Sequence, residues 1–182
     1  MDIETLLTRE AIRDCLTRFC RGMDRFDREL YLSAFHDDAI VAAGPFVGSA
    51  ADCYDWAQPM HQQMQLATQH CILNTSFDID GDTAHTETYY QFVARNCDGS
   101  NWLTNGRYVD RLECRNEDGH KQWKIALRTN VIEWSGNVPA MPLPFADVPD
   151  INDNGAPARD NSDISYQRPL SNRRKPHNPA RD

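Results

Sequence analysis

Three side chains of this sequence could act together on a small molecule: the carboxylate of Asp24, the imidazole of His70 and the guanidinium of Arg128. Asp24 follows Cys20 by four residues, which puts it on the buried stripe of an amphipathic helix, at the end where that helix stops. A carboxylate there either holds structure as a cap or takes part in chemistry. His70 opens a strand in ATQHCILN and, by the two-residue rule, shares a face with Ile72 and Asn74. It serves either as a satisfied structural histidine or as a reactive one. If acid and imidazole met in one cavity, the carboxylate would fix the ring tautomer and raise the basicity of the far nitrogen, making a general base. Arg128 alternates with Ala126, Asn130, Ile132 and Trp134 on the last strand. It is either turned to solvent or desolvated and paired; facing inward, it can stabilise a developing anion or a leaving group. Phe19, Tyr31, Trp56, Met60, Tyr89, Tyr108 and Trp134 are candidates for pocket walls or for ordinary core packing, with Asn74, Asn130 and Glu87 as strand polars.

The elements that must carry these groups can be read from the hydrophobic period. Over residues 3–23, Ile12, Cys15, Leu16, Phe19, Cys20 and Met23 recur at three- and four-residue intervals, which predicts an amphipathic helix. After a break at Asp24–Asp27, Asp27 caps a short helix containing Leu30, Tyr31, Ala34 and Phe35. AIVAAGPFVG predicts a short strand and a loop turning at Gly44–Pro45. Ser49 with Asp52 resembles a capping box, and the helix it opens carries Tyr54, Trp56, Ala57, Met60 and Met64, with a kink at Pro59. From about residue 68 the period becomes two. Turns at IDGD (79–82), CDGSN (97–101) and NEDGH (116–120) divide the rest into four antiparallel strands of one meander. Helices followed by a curved antiparallel sheet define an α+β fold, with the helices packed across the bent sheet to leave a cone-shaped pocket.

Composition narrows what the pocket could serve. The 182 residues carry 19 basic and 27 acidic side chains, a net charge of −8, which argues against a nucleic-acid partner. No apolar run is long enough to span a membrane, and the charged MDIETLLTREAIRD lacks a signal-peptide core, so a cytoplasmic protein is expected. The six cysteines form no CxxC pair and are read as reduced, small hydrophobes; the six histidines show no HxH or HExxH spacing, so no metal is expected. Eight of the ten prolines lie in the last 46 residues. Residues 1–136 are therefore read as the folded domain and 137–182 as a proline-rich arm. Tyr166 and Leu170 give that arm something to dock with, on a neighbouring subunit for instance, while disorder is expected after about residue 171.

TREAIRDCLTRFCRGMDRFDRELYLSAFHDDAIV, then ATQHCILN, DIDGDTAHTETYY, GRYVDRLE and WKIALRTNVIEW, resemble SnoaL-like proteins of the nuclear transport factor 2-like superfamily over roughly residues 5–135. The superfamily's fold is the same α+β cone. The resemblance is nearest to the branch holding scytalone dehydratase, hexachlorocyclohexane dehydrochlorinase and bile-acid dehydratases, which are cofactor-free lyases with an Asp–His dyad. It implies that Asp24, His70 and Arg128 match that branch's acid, base and last-strand arginine. It departs at Phe19, where the dehydrochlorinase has lysine and the bile-acid enzyme tyrosine. It also implies a homo-oligomer, a trimer before a dimer, and no cofactor. The expected function is a lyase that eliminates water, halide or formaldehyde from a small apolar cyclic or aromatic molecule. The alternatives are an isomerase or cyclase using the same dyad, and a binding module without turnover. The last predicts that Asp24 and His70 do not touch, or that side chains fill the pocket.

Overall fold

The computed structural model describes residues 2–176. Asp2 accepts the Thr5 amide and opens α1 (Ile3–Asp24), whose residues Ile12, Cys15, Leu16, Phe19, Cys20 and Met23 are buried at the predicted helical spacing. Asp27 accepts the Leu30 amide at 3.0 Å and caps α2 (Arg28–Leu32). That helix is shorter than expected, because Phe35 already opens a strand. The two helices approach backbone to backbone at Gly22: a Cβ there would lie 2.4 Å from the Tyr31 backbone nitrogen.

Strands β1 (Phe35–Ala43) and β2 (Phe46–Ser49) form a hairpin around Gly44, which takes φ 58°. Ser49 then caps α3 (Ala50–Met64): its hydroxyl accepts the Asp52 amide at 3.1 Å and donates to the Asp52 carboxylate at 2.7 Å. Pro59 sits inside this helix, which continues past it to Met64. The meander follows as β3 (Gln65–Asp80), β4 (Thr83–Asn96), β5 (Asn101–Glu117) and β6 (His120–Val138), every neighbouring pair antiparallel. The three turns fall where the sequence places them.

The sheet has six strands in the order β2-β1-β6-β5-β4-β3, and β1 lies parallel to β6. A wholly antiparallel sheet is thus corrected to a mixed one. The chain reaches β6 from β1 through α3 and the meander, a long crossover of the kind that parallel neighbours require. The helices cover one face. Leu16, Phe19, Tyr31, Phe35, Tyr54, Tyr108 and Leu112 share one core with Ile125, in a curved, unclosed α+β layer pair.

Two of the sheet's bulges alter which of the expected pocket residues face that core. In β3, Ile72 pairs with Tyr90 but Thr75 with Thr88, so Leu73 and Asn74 together oppose one residue of β4. In β6, Gly106 pairs with Ile132 but Asn105 with Trp134, so Glu133 is the extra residue.

Beyond Val138 the arm crosses back over the domain. Tyr166 donates to the Asp27 carboxylate at 2.8 Å and lies under the Arg21 guanidinium, 4.6 Å from it. Asp163 faces Arg25 at 3.6 Å. The arm therefore docks on α1 of its own chain. Residues 171–176, where disorder is expected, are held as well: Arg174 forms a forked pair with Asp150 at 3.0 and 3.1 Å, and the Arg173 amide donates to Asn154. The rest of that stretch lies outside the described residues.

Candidate active site

The last residue of α1 and the first turn of β3 meet at the rim of a cavity. His70 Nδ1 lies 2.7 Å from Asp24 Oδ1, and the His70 amide donates to Asp24 Oδ2 at 2.8 Å. Thr68 adds its hydroxyl proton to Oδ1 at 2.8 Å. Burial alone would raise the Asp24 carboxyl, but the bonds from the His70 ring, the His70 amide and Thr68 outweigh it and hold the group below the ordinary carboxylate range. Asp24 is thus ionised at neutral pH and only accepts, so His70 Nδ1 carries a proton toward it. Phe92 packs on the imidazole at 4.7 Å, and Phe19 and His61 meet it edge-on at 6.0 Å. The ring has little room to turn.

That imidazole faces a cavity of about 250 Å³ whose walls are mostly apolar. Phe19, Tyr31, Trp56, Met60, Tyr108 and Asn130 line it as the sequence predicts. Asn74, Tyr89 and Trp134 do not. The bulge at Leu73–Asn74 turns Asn74 outward, where it is exposed. The extra residue Glu133 reverses the alternation on β6, so Ile132 lines the cavity and Trp134, 52% exposed, lies on the outer face. On β4, Tyr90 rather than Tyr89 points inward. The alternation of His85, Glu87 and Gln91 with Thr86, Thr88 and Tyr90 was the signal for that parity.

Arg128 lies deeper than an anion-stabilising group would. Its Nε and Nη2 donate to the two oxygens of Asp110 at 2.8 and 2.6 Å, and its guanidinium sits 4.1 Å from the Phe19 ring and 4.2 Å from the Tyr108 ring. Burial would lower its proton affinity, but Asp110 outweighs that and keeps it charged. It does not line the cavity. Phe19 and Tyr108, which do, both pack against it and meet each other edge-on at 5.4 Å. Arg128 braces the wall from behind instead of reaching the space in front.

Several lining residues were not singled out by sequence, among them Met23, His61, Tyr90, Phe92, Thr104 and Ile132. His61 follows Cys53 and Ala57 by multiples of four, so the buried stripe of α3 pointed to it. Its Nδ1 meets the Gln65 side chain at 2.5 Å, and burial pushes its proton affinity down, against the pull of Gln65, so it is neutral near pH 7. Tyr90 and Asn130 are among the cavity's other polar residues; Asn130 Oδ1 is buried with no hydrogen-bond partner. Burial raises the Tyr90 hydroxyl, with Asn130 opposing, so it stays protonated. Among the described residues no three His, Cys, Asp or Glu side chains gather into a metal-holding group, and no helix is long and apolar enough to cross a membrane.

A helix-covered curved sheet with an acid–imidazole pair at the mouth of an apolar cavity defines a class of small-molecule-binding α+β domains. The chain belongs to the SnoaL-like domain family, whose model matches residues 4–129. Among solved structures it is similar to a type 2 hexachlorocyclohexane dehydrochlorinase, LinA, with 19% identity and a TM-score of 0.69 over 80% of this chain and 99% of that one. A type 3 dehydrochlorinase from Novosphingobium barchaimii gives 17%, 0.66, 79% and 98% in the same order. A scytalone dehydratase-like protein from Novosphingobium aromaticivorans gives 20%, 0.64, 78% and 97%. At these identities the likeness is one of fold. No curated protein matches the chain by sequence.

Proposed function

We propose that the protein is a cofactor-independent lyase acting on a small, largely apolar cyclic or aromatic molecule. One observation carries this reading: the 2.7 Å contact that fixes the ring of His70 on ionised Asp24 while the same residue lines a mostly apolar cavity. His70 Nε2 takes a proton from a carbon beside the leaving group. The freed electron pair becomes the new double bond, and the leaving group departs with its old bonding pair, as halide or as a hydroxide that takes up the abstracted proton to leave as water. In the retro-aldol variant the proton comes from a hydroxyl, the freed O–H pair makes the carbonyl of the departing formaldehyde, and the broken carbon–carbon pair stays on the remaining carbon, which takes the proton back from His70. Asp24 stabilises the imidazolium throughout. The Tyr90 hydroxyl is the donor placed to meet the departing oxygen or halide. Such a general base contributes ~10²–10⁴-fold, and a fixed donor in a dry site adds a comparable factor. The cavity lies below the ~300–1,000 Å³ of drug-sized sites, which favours a small substrate.

The buried, unpartnered Asn130 Oδ1 beside Tyr90 favours a second reading, an isomerase or cyclase. There Tyr90 and Asn130 hold an enol while His70 returns its proton, and nothing leaves. A non-catalytic binding module requires the dyad apart or the cavity filled, and the geometry speaks against both conditions. The test is mass spectrometry of hydroxylated, halogenated and lignin-type aromatics and unsaturated steroid-like ketones, incubated with the protein and with His70→Ala. A His70-dependent loss of water, halide or formaldehyde is expected. A new peak of unchanged mass would replace the lyase by the isomerase, and turnover by His70→Ala would overturn both.

The homo-oligomer, a trimer, belongs to the same proposal. Tyr89, Val109, Leu127 and Trp134 are exposed on the outer side of the sheet and would be covered by it. Sedimentation of the full chain tests this, a monomer at tens of micromolar counting against it.

A further inference from the structure

The C-terminal arm sends one side chain back to the dyad. Arg159 Nη1 donates to the carbonyl oxygens of His61 and Gln65, both at 3.1 Å, and Nη2 donates to Thr68 Oγ1 at 3.0 Å. Thr68 is 3% exposed, and the hydroxyl that accepts from Arg159 donates to Asp24. Accepting on one side leaves Thr68 only one way to spend its proton, toward Asp24 Oδ1. Arg159 therefore sets the direction of a chain of hydrogen bonds that runs through Thr68 and Asp24 to His70.

The fork is itself held. The guanidinium lies 3.9 Å from the centre of the Phe26 ring, and Phe26, in the turn after Asp24, has φ 51°. A bulky residue in the left-handed region costs about 1–2 kcal/mol. Such strain is kept where the surroundings dictate it, and here it places a ring against the arginine. Asp163, accepting from the Ser165 and Ala158 amides, pins the arm one residue before that arginine. Residue 159 lies beyond the 4–129 matched to the SnoaL-like family, so the device belongs to this chain's own extension.

We propose that Arg159 is a positioning residue of the active site, which acts on the Asp24–His70 pair through Thr68 and makes the arm part of the reactive centre. The inference rests on the lyase reading for its consequence in turnover, but not for its geometry. Other groups facing Asp24 are His70 on β3, Cys20, Arg21 and Arg25 on α1, His61 on α3 and, through Arg25, Asp163 of the arm. Arg159 alone among them meets Thr68.

The test uses the full chain and needs no substrate. Carbon-13 NMR of the Asp24 carboxyl follows its titration in wild type, Arg159→Met, Arg159→Lys and Thr68→Val. Removing the fork takes a cation away and frees the Thr68 hydroxyl, and both changes favour the protonated acid. In Arg159→Met the Asp24 midpoint is expected to rise by about 0.5–1 unit, a three- to tenfold gain in proton affinity. Arg159→Lys, which keeps the charge and loses the fork, moves it the same way by less, and stands in if the Met variant does not fold. In a Thr68→Val background the Arg159 substitution should move the midpoint by under half as much. An Asp24 midpoint within 0.1 unit of wild type in both Arg159 variants overturns the inference. Because the readout is the acid itself, that failure is distinct from silence of the substrate panel, which bears on the lyase reading alone.

Discussion

Asp24 holds both the ring and the backbone of His70: one carboxylate oxygen meets Nδ1 at 2.7 Å while the other accepts the amide of the same residue at 2.8 Å. The acid thereby holds not only the imidazole but also the position of the strand that carries it.

Asp24→Asn keeps the shape and removes the charge. Its amide would face the His70 N–H with a donor and no longer stabilise an imidazolium. Turnover is expected to fall about 10²–10⁴-fold with a circular-dichroism spectrum unchanged from wild type. Activity within tenfold of wild type, measured on any substrate the panel yields, would contradict the role of the acid.

Stability should fall with acid in two separate windows. His61 has a lowered proton affinity in the fold, so the unfolded chain binds the extra proton first. Its contribution is complete above its ordinary value of 6.5 and is lost as pH falls below it. Asp24 is also lowered, so its contribution is complete above 3.8 and is lost only as pH falls through its folded value. Thermal denaturation from pH 8 to 3 should show His61→Gln flattening the first window and leaving the second. A slope between pH 6.5 and 5 identical to wild type would exclude His61 as its source.

Arg128→Met should destabilise by about 3–5 kcal/mol, because it leaves the Asp110 carboxylate buried without its partner. Replacing both, as Arg128→Met with Asp110→Leu, should cost less than the single change. Urea unfolding of the three proteins measures this. A double variant weaker than Arg128→Met would show that the rings of Phe19 and Tyr108 need the cation itself.

Gly106→Ala should close part of the cavity. A Cβ at that position would lie 2.1 Å from the Val131 carbonyl oxygen and 2.9 Å from the Tyr90 hydroxyl, so Tyr90 must move. A loss of about 1–3 kcal/mol is expected, as for other overpacked sites. Near-ultraviolet circular dichroism reports the displaced tyrosine, and an unaltered spectrum with unaltered stability would refute the packing argument.

Most of the frame was legible because it is written in local periods: the α1 stripe, the Asp27 and Ser49 caps, and three turn motifs each fell where the fold has them. Asp24 and His70 were legible as an end-of-helix acid and a start-of-strand imidazole. What failed was parity. Asn74 and Trp134 each follow a bulge, and a bulge inverts the faces beyond it without leaving a mark in the alternation itself. Arg128 looked like a pocket residue because its partner Asp110 sits on another strand, where spacing along one chain says nothing. The parallel pairing of β1 with β6 and the return of Arg159 are likewise long-range facts. No window of a dozen residues contains them.

The separation of those partners along the chain also orders the assembly of the molecule. Strands β3 to β6 are joined by short turns and can zip together with little loop-closure entropy. Bringing α1 and β1 against the finished meander joins residues far apart in sequence, the slow class of contact. Asp24 and His70, 46 positions apart, and Arg159 and Thr68, 91 positions apart, are contacts of that class. The acid–imidazole pair is thus a product of tertiary folding, and a chain that has not closed these long-range contacts holds its two halves apart.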